Sequence, residues 1–125
     1  MKLNHDCIRD LMLFSEKVLN MRNYISCSAL ELPPYTNDEL IYTASKLIEA
    51  GYLEGKILIF LEGRRDARIS SITWTGHEFL DTIRDDGVWK STKEKLSKFP
   101  SVSIGFISDV ASQILANLIN QHLGL

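Results

Sequence analysis

The stretch Tyr52–Trp74, YLEGKILIFLEGRRDARISSITW, decides how the rest of the chain is read. It carries an apolar run, Ile57–Leu61, passes through Gly63, and returns through Ile69, Ile72 and Trp74. Branched and aromatic residues on both sides of a glycine-bearing turn predict two antiparallel strands joined as a hairpin. Arg64, Arg65 and Arg68 fall between the two apolar runs, which places them at the hairpin tip. Three arginines there fit a finger that grips phosphate, a major source of sequence-independent nucleic-acid affinity. They also fit a solvated tip whose charges discourage edge pairing, because Glu62 and Asp66 interleave with them and dilute the field.

Directly upstream, TNDELIYTASKLIEAG (Thr36–Gly51) is the clearest helix in the chain. Thr36 and Glu39 have the spacing of a capping box, in which each side chain satisfies an orphan amide at the helix start. Leu40, Ile41, Ala44, Leu47 and Ile48 form the buried stripe, and Gly51 supplies the stop. That leaves Glu39, Tyr42, Thr43, Ser45, Lys46 and Glu49 facing outward. An earlier helix starts near Asn4 or Asp6 and runs to about Asn20, with Cys7, Ile8, Leu11, Phe14, Val18 and Met21 on one face. Between the two helices, YISCSALELPPY (Tyr24–Tyr35) reads as a short strand or extended segment ended by Pro33-Pro34.

Downstream, Thr75 with Glu78 predicts a second capping box, followed by inward-facing Phe79, Leu80 and Ile83. Trp89, Thr92, Leu96 and Phe99 continue roughly along that side, and Pro100 closes the segment. Asp86-Gly87 interrupts it; glycine costs about 1 kcal/mol inside a helix, so a kink and a pair of helices are both compatible. Ser103 caps a last helix with a broad apolar face of Ile107, Val110, Ala111, Ile114, Leu115, Leu118 and Ile119. Its polar side, Ser112, Gln113, Asn117, Asn120 and Gln121, is almost without charge, so a packing partner is expected.

Helix, short strand, helix, hairpin and helix is the order of a winged-helix-like α+β domain, with the hairpin as its small antiparallel β wing. The expected organisation is therefore a winged-helix-like domain over 1–99 and an added C-terminal amphipathic helix over 100–125. That last helix is the expected dimerisation element, through Ile107, Val110, Ile114, Leu115, Leu118 and Ile119. Ordinary winged helices carry a further helix where this chain has Asn23–Tyr35, so the helix-turn-helix is degenerate.

Three stretches, MKLNHDCIRDLML (Met1–Leu13), LIYTASKLIEAGYLEG (Leu40–Gly55) and above all ITWTGHEFLDTIRDDGVWKSTKEKL (Ile72–Leu96), carry a resemblance. They resemble bacterial and prophage proteins grouped as domain-of-unknown-function family 2513. The resemblance implies a small cytosolic protein, often encoded in mobile elements, and brings no catalytic residues with it.

Composition narrows the function classes. The 125 residues are 45% apolar and 24% charged with a formal net charge of −2, so one domain, or one small domain plus an appended helix, is expected and no global basic field recruits nucleic acid. Cys7 and Cys27 lack metal-site or disulfide-framework spacing and read as reduced structural residues. The N-terminus lacks a signal pattern and no apolar run is long enough for a membrane span, which reads as cytoplasmic with no membrane contact. His77 and Asp81 form an i, i+4 pair, but two ligands do not make a dedicated metal site, and the acids of this helix start suit its dipole. His5, Asp6 and Cys7 are adjacent, yet neighbouring residues on a helix point in different directions. No phosphate loop, nucleophile elbow or cofactor motif is present, so no enzyme and no cofactor are expected.

Two binding readings follow. In the leading one the chain is a non-enzymatic protein-interaction module with an unidentified protein partner, contacted through Glu39, Tyr42, Thr43, Lys46, Glu49 and the wing. In the alternative it is a DNA-binding regulator in which Arg64, Arg65, Arg68 and Lys46 meet phosphates while Tyr42 and Thr43 approach the groove. A homodimer fits both.

Overall fold

The computed structural model describes residues 1–99 and 102–124. The chain is α+β, with five helices and one three-stranded antiparallel sheet among those residues. Two compact units divide it, Met1–His77 and Glu78–Leu125.

The first unit opens with α1 (His5–Val18), whose N-cap Asn4 accepts from the amides of Asp6 and Cys7. Cys7, Ile8, Leu11, Met12 and Ser15 are its buried face. Met21, expected to extend that face, lies beyond the helix end and is fully exposed. The chain then enters β1, which covers only Ile25–Ser26. One further bond, from the Cys27 amide to the Ala67 carbonyl at 3.0 Å, prolongs the pairing before the backbone turns. Residues 27–36 form turns rather than a helix. The Asn37 side chain holds them by donating to the carbonyls of Cys27 and Leu30, and the Tyr35 hydroxyl donates to Asp10 of α1 at 2.6 Å.

Helix α2 (Asn37–Glu49) has Thr36 as N-cap, accepting from the Glu39 amide at 3.1 Å. Glu39 does not return the bond, so only half of the capping box forms. Leu40, Thr43, Ala44 and Leu47 are its buried residues. The helix stops before Gly51, whose φ of 83° is the left-handed conformation that glycine adopts without strain. Strands β2 (Leu53–Ile59) and β3 (Arg65–Ile72) form the hairpin, and the sheet order β1-β3-β2 makes β3 central and β2 an edge. The turn is closed by Phe60 N–H to the Arg64 carbonyl and Gly63 N–H to the Phe60 carbonyl, both 2.8 Å. A bulge at Glu54/Gly55 interrupts the register.

Trp74 leaves the sheet and opens α3 (Trp74–Ile83) as an exposed residue. The cap is Thr73, not Thr75: its hydroxyl accepts from the Gly76 amide and donates to the Gly51 carbonyl. In the second unit α4 (Asp86–Leu96) is separate, with Asp85 as N-cap, so the Asp86-Gly87 interruption is resolved as two helices. Trp89 and Thr92 are buried there, whereas Phe99 lies past the helix and is exposed. The expected closure at Pro100 lies outside the described residues. Helix α5 (Ile104–Leu123) is capped by Ser103, as its sequence predicts, and by Gly124 in the left-handed conformation.

Candidate functional site

The exposed side of α2 and the inner side of the hairpin enclose a groove of about 570 Å³, lined by Ile41, Tyr42 and Lys46 from α2 and by Ile57, Arg64 and Arg65 from the hairpin. The helix presents these side chains because its opposite stripe is committed to the core. Strand parity selects the hairpin residues. Ile57 and Ile59 are in register with Ala67 and Arg65, and Ala67 is fully buried, so this is the core-facing side of the sheet. Near the bulge that side is covered. Toward the turn the hairpin overshoots the body, and exposure rises from 39% at Ile57 to 68% at Ile59, with Leu61 fully exposed.

The cations around the groove are largely engaged. Lys46 Nζ pairs with Glu49 at 3.1 Å and lies 5.4 Å from the Tyr42 ring centre. Arg64 pairs with Glu62 at 3.2 Å and stacks 4.0 Å from the Phe60 ring centre. The Glu62 carboxyl is held below its ordinary range by its own backbone amide and then by Arg64. Arg65 makes no hydrogen bond or ion pair among the described residues.

Arg68 corrects the picture of three arginines at one tip. It lies inside β3, opposite Ser26 on one side and Lys56 on the other, because the turn is already complete at Arg64. Being three positions from Arg65, it projects from the other face of the sheet. There it approaches Asp66 at 3.6 Å and the Tyr24 ring at 5.5 Å. Asp66, read in the sequence as a tip charge, is 2% exposed. Its carboxylate accepts from the Ser26 hydroxyl at 2.8 Å, the Ser28 amide at 2.9 Å and the Ala67 amide at 2.8 Å. Burial raises its pKa, but these donors outweigh burial and leave it below the ordinary 3.8.

Thr43 also departs from the outward surface assigned to it. It is 1% exposed, because three residues after Leu40 it shares the buried stripe. Its hydroxyl has no hydrogen-bond partner of full geometry, only the Cys7 thiol in looser range. Tyr42, Lys46 and Glu49 do line the groove, while Glu39 is half-buried away from it.

The remaining candidates do not converge. Cys7 and Cys27 are fully buried, and burial pushes their thiols up to about 11 and about 12, which keeps both protonated. Asp81 is occupied by Arg84 at 2.9 Å, and no group of three metal-ligating side chains occurs among the described residues. On α5, Ile107 is buried; Val110, Ile114 and Leu115 are half-buried, and Leu118 and Ile119 are exposed. No helix among the described residues is long and apolar enough to cross a membrane.

Sequence reasoning missed the exposed row Ile57, Ile59 and Leu61. A signal was present: five consecutive apolar residues put apolar side chains on both faces of a short hairpin, which a single-layer core cannot cover.

Residues 2–103 match the family described as "Hypothetical protein (DUF2513)". The chain belongs to that family. A relative from Haemophilus influenzae strain Rd, described as "Uncharacterized protein", is 32% identical over 121 residues, which cover 95% of this chain and 99% of the relative. No solved structure matches the chain.

Proposed function

We propose that the chain is a non-enzymatic protein-interaction module that meets its partner through the α2–hairpin groove and the apolar row beside it. The observation that carries this reading is the contrast between the two kinds of side chain there. Ile57, Ile59 and Leu61 stand open, whereas Lys46 and Arg64 already have carboxylates and aromatic rings as partners. Open apolar surface with a polar rim is what a protein partner covers, and aromatic residues such as Tyr42 act as anchors in such surfaces.

The DNA-binding regulator is the second reading, and two observations favour it. The element order and the β1-β3-β2 sheet are compatible with a winged-helix reading that has turns in place of the second helix, and the Arg65 side chain beside the groove has no hydrogen-bond or ion-pair partner among the described residues. Self-association accompanies both readings, with two apolar surfaces competing for it: Leu118 and Ile119 of α5, and the hairpin edge.

Fluorescence anisotropy of a random-sequence duplex, titrated with protein at low and physiological salt, separates the two. The interaction reading expects no binding at either salt, and a co-purifying partner that Tyr42→Ala releases. Tight binding that weakens steeply with salt, and that Arg65→Ala reduces with a slope about one unit shallower, would establish the regulator instead.

A further inference from the structure

One row of backbone groups in the hairpin lacks a partner within the sheet. The Ala67 carbonyl is turned toward β1, where it accepts from Cys27. Ile57, opposite Ala67 on β2, therefore sits in a non-hydrogen-bonded pair and directs its own N–H and C=O away from β3. Two residues on, Ile59 does the same, being one step from the Phe60–Arg64 bond. Both residues lie on an edge strand with exposed side chains. Edges are ordinarily blunted by charge, proline or a bulge. In β2 the bulge at Glu54/Gly55 and the side chain of Lys56 protect only the first half. From Ile57 to Leu61 there is no charge, no proline and no bulge.

We propose that this open half of β2 pairs antiparallel with the same edge of a second copy of the chain, with a two-fold axis at Ile59. The inference rests on the interaction reading, names a second copy as an occupant, and moves self-association from α5 to the hairpin. Self-complementarity selects the register. With Ile59 opposite its own copy, Ile57 meets Leu61 of the second copy, Leu58 meets Phe60, and Lys56 comes opposite Glu62. Apolar pairs and opposite charges across strands are the stabilising combinations. With the axis at Leu58, Glu54 is set against Glu62, and like charges directly opposite are unfavourable. With the axis at Ile57, the pairing runs into the bulge. Leu61 and Glu62 belong to the turn, so their cross-contacts are made by side chains, and the backbone pairing centres on Ile59.

Light scattering of the purified full chain across a concentration series tests this, with Ile59→Lys as the disrupting variant. Ile59 is 68% exposed, so lysine there leaves the core intact and places a charge on the axis. The unmodified protein is expected at twice the 14.2 kDa chain mass, Ile59→Lys at half that value, and Leu118→Lys with Ile119→Lys still at the doubled mass. Ile59→Cys adds a direct readout: a short bis-maleimide should join two chains through this residue, since Cys7 and Cys27 are fully buried. A doubled mass that survives Ile59→Lys but is lost in the α5 variant overturns the proposal in favour of α5. A single-chain mass at every concentration also overturns it. If a partner released by Tyr42→Ala persists in that case, the interaction reading stands without the self-pairing.

Discussion

Asp66 is the residue on which the middle of the sheet turns. Its carboxylate gathers the Ser26 hydroxyl and the Ser28 amide from the far end of β1, so it fixes a strand too short to hold by its own ladder. Asp66→Asn keeps the shape but loses the charge on those bonds, and a destabilisation of about 2–3 kcal/mol is expected in urea unfolding. The effect depends on pH. Because the folded-state pKa lies below the ordinary 3.8, the contribution is complete above that value and disappears as pH falls through the lower folded value. The Asn variant should therefore converge on the unmodified protein in acid. At the opposite end of the pH scale, Cys7 and Cys27 keep their protons in the folded state up to about 11 and about 12, against an ordinary 9.0. Their contribution is complete below pH 9 and fades as pH rises through the folded values. A thiol reagent at pH 8 should label neither in the folded protein and both in denaturant, as a mass spectrum will show.

At the scale of elements, Gly55 makes the bulge. A Cβ there would meet the Arg68 carbonyl oxygen and Ile48 Cδ1, so the close crossing of β2 and β3 depends on the missing side chain. Gly55→Ala should cost about 1–3 kcal/mol and lower the thermal midpoint, whereas Gly105→Ala, with open space around it, should not. Most elements were legible from the chain. Periodicity located α1 and α2, the caps Asn4, Thr36 and Ser103 were recognisable, and one glycine announced the hairpin turn. What was not legible depends on distant partners. Thr73 rather than Thr75 caps α3, where its hydroxyl also meets the carbonyl of Gly51, 22 positions away. Arg68 could be placed only once the turn was known to close at Arg64, and the openness of Ile59 depends on how far the hairpin overshoots α2.

At the scale of the whole molecule, the candidate surface is confined to the first compact unit, Met1–His77, which holds the groove, the edge and the arginines Arg64 and Arg65 beside them. The second unit contributes its own exposed apolar side chains on α5, among them Leu118 and Ile119. Within the first unit the central strand is the last to be made. Strand β1 is complete at Ser26 but has nothing to pair with until Arg68 exists, 42 positions later, and the buried carboxylate that pins it comes only with Asp66. A nascent chain that has emerged only through α2 thus carries the apolar faces of α1 and α2 without the sheet that covers them. The local hairpin must close first and the distant strand dock afterwards, because a short loop is closed at lower entropic cost than a long one. The same chain segment that stands open at its tip in the finished protein is, during synthesis, the piece whose arrival completes the fold.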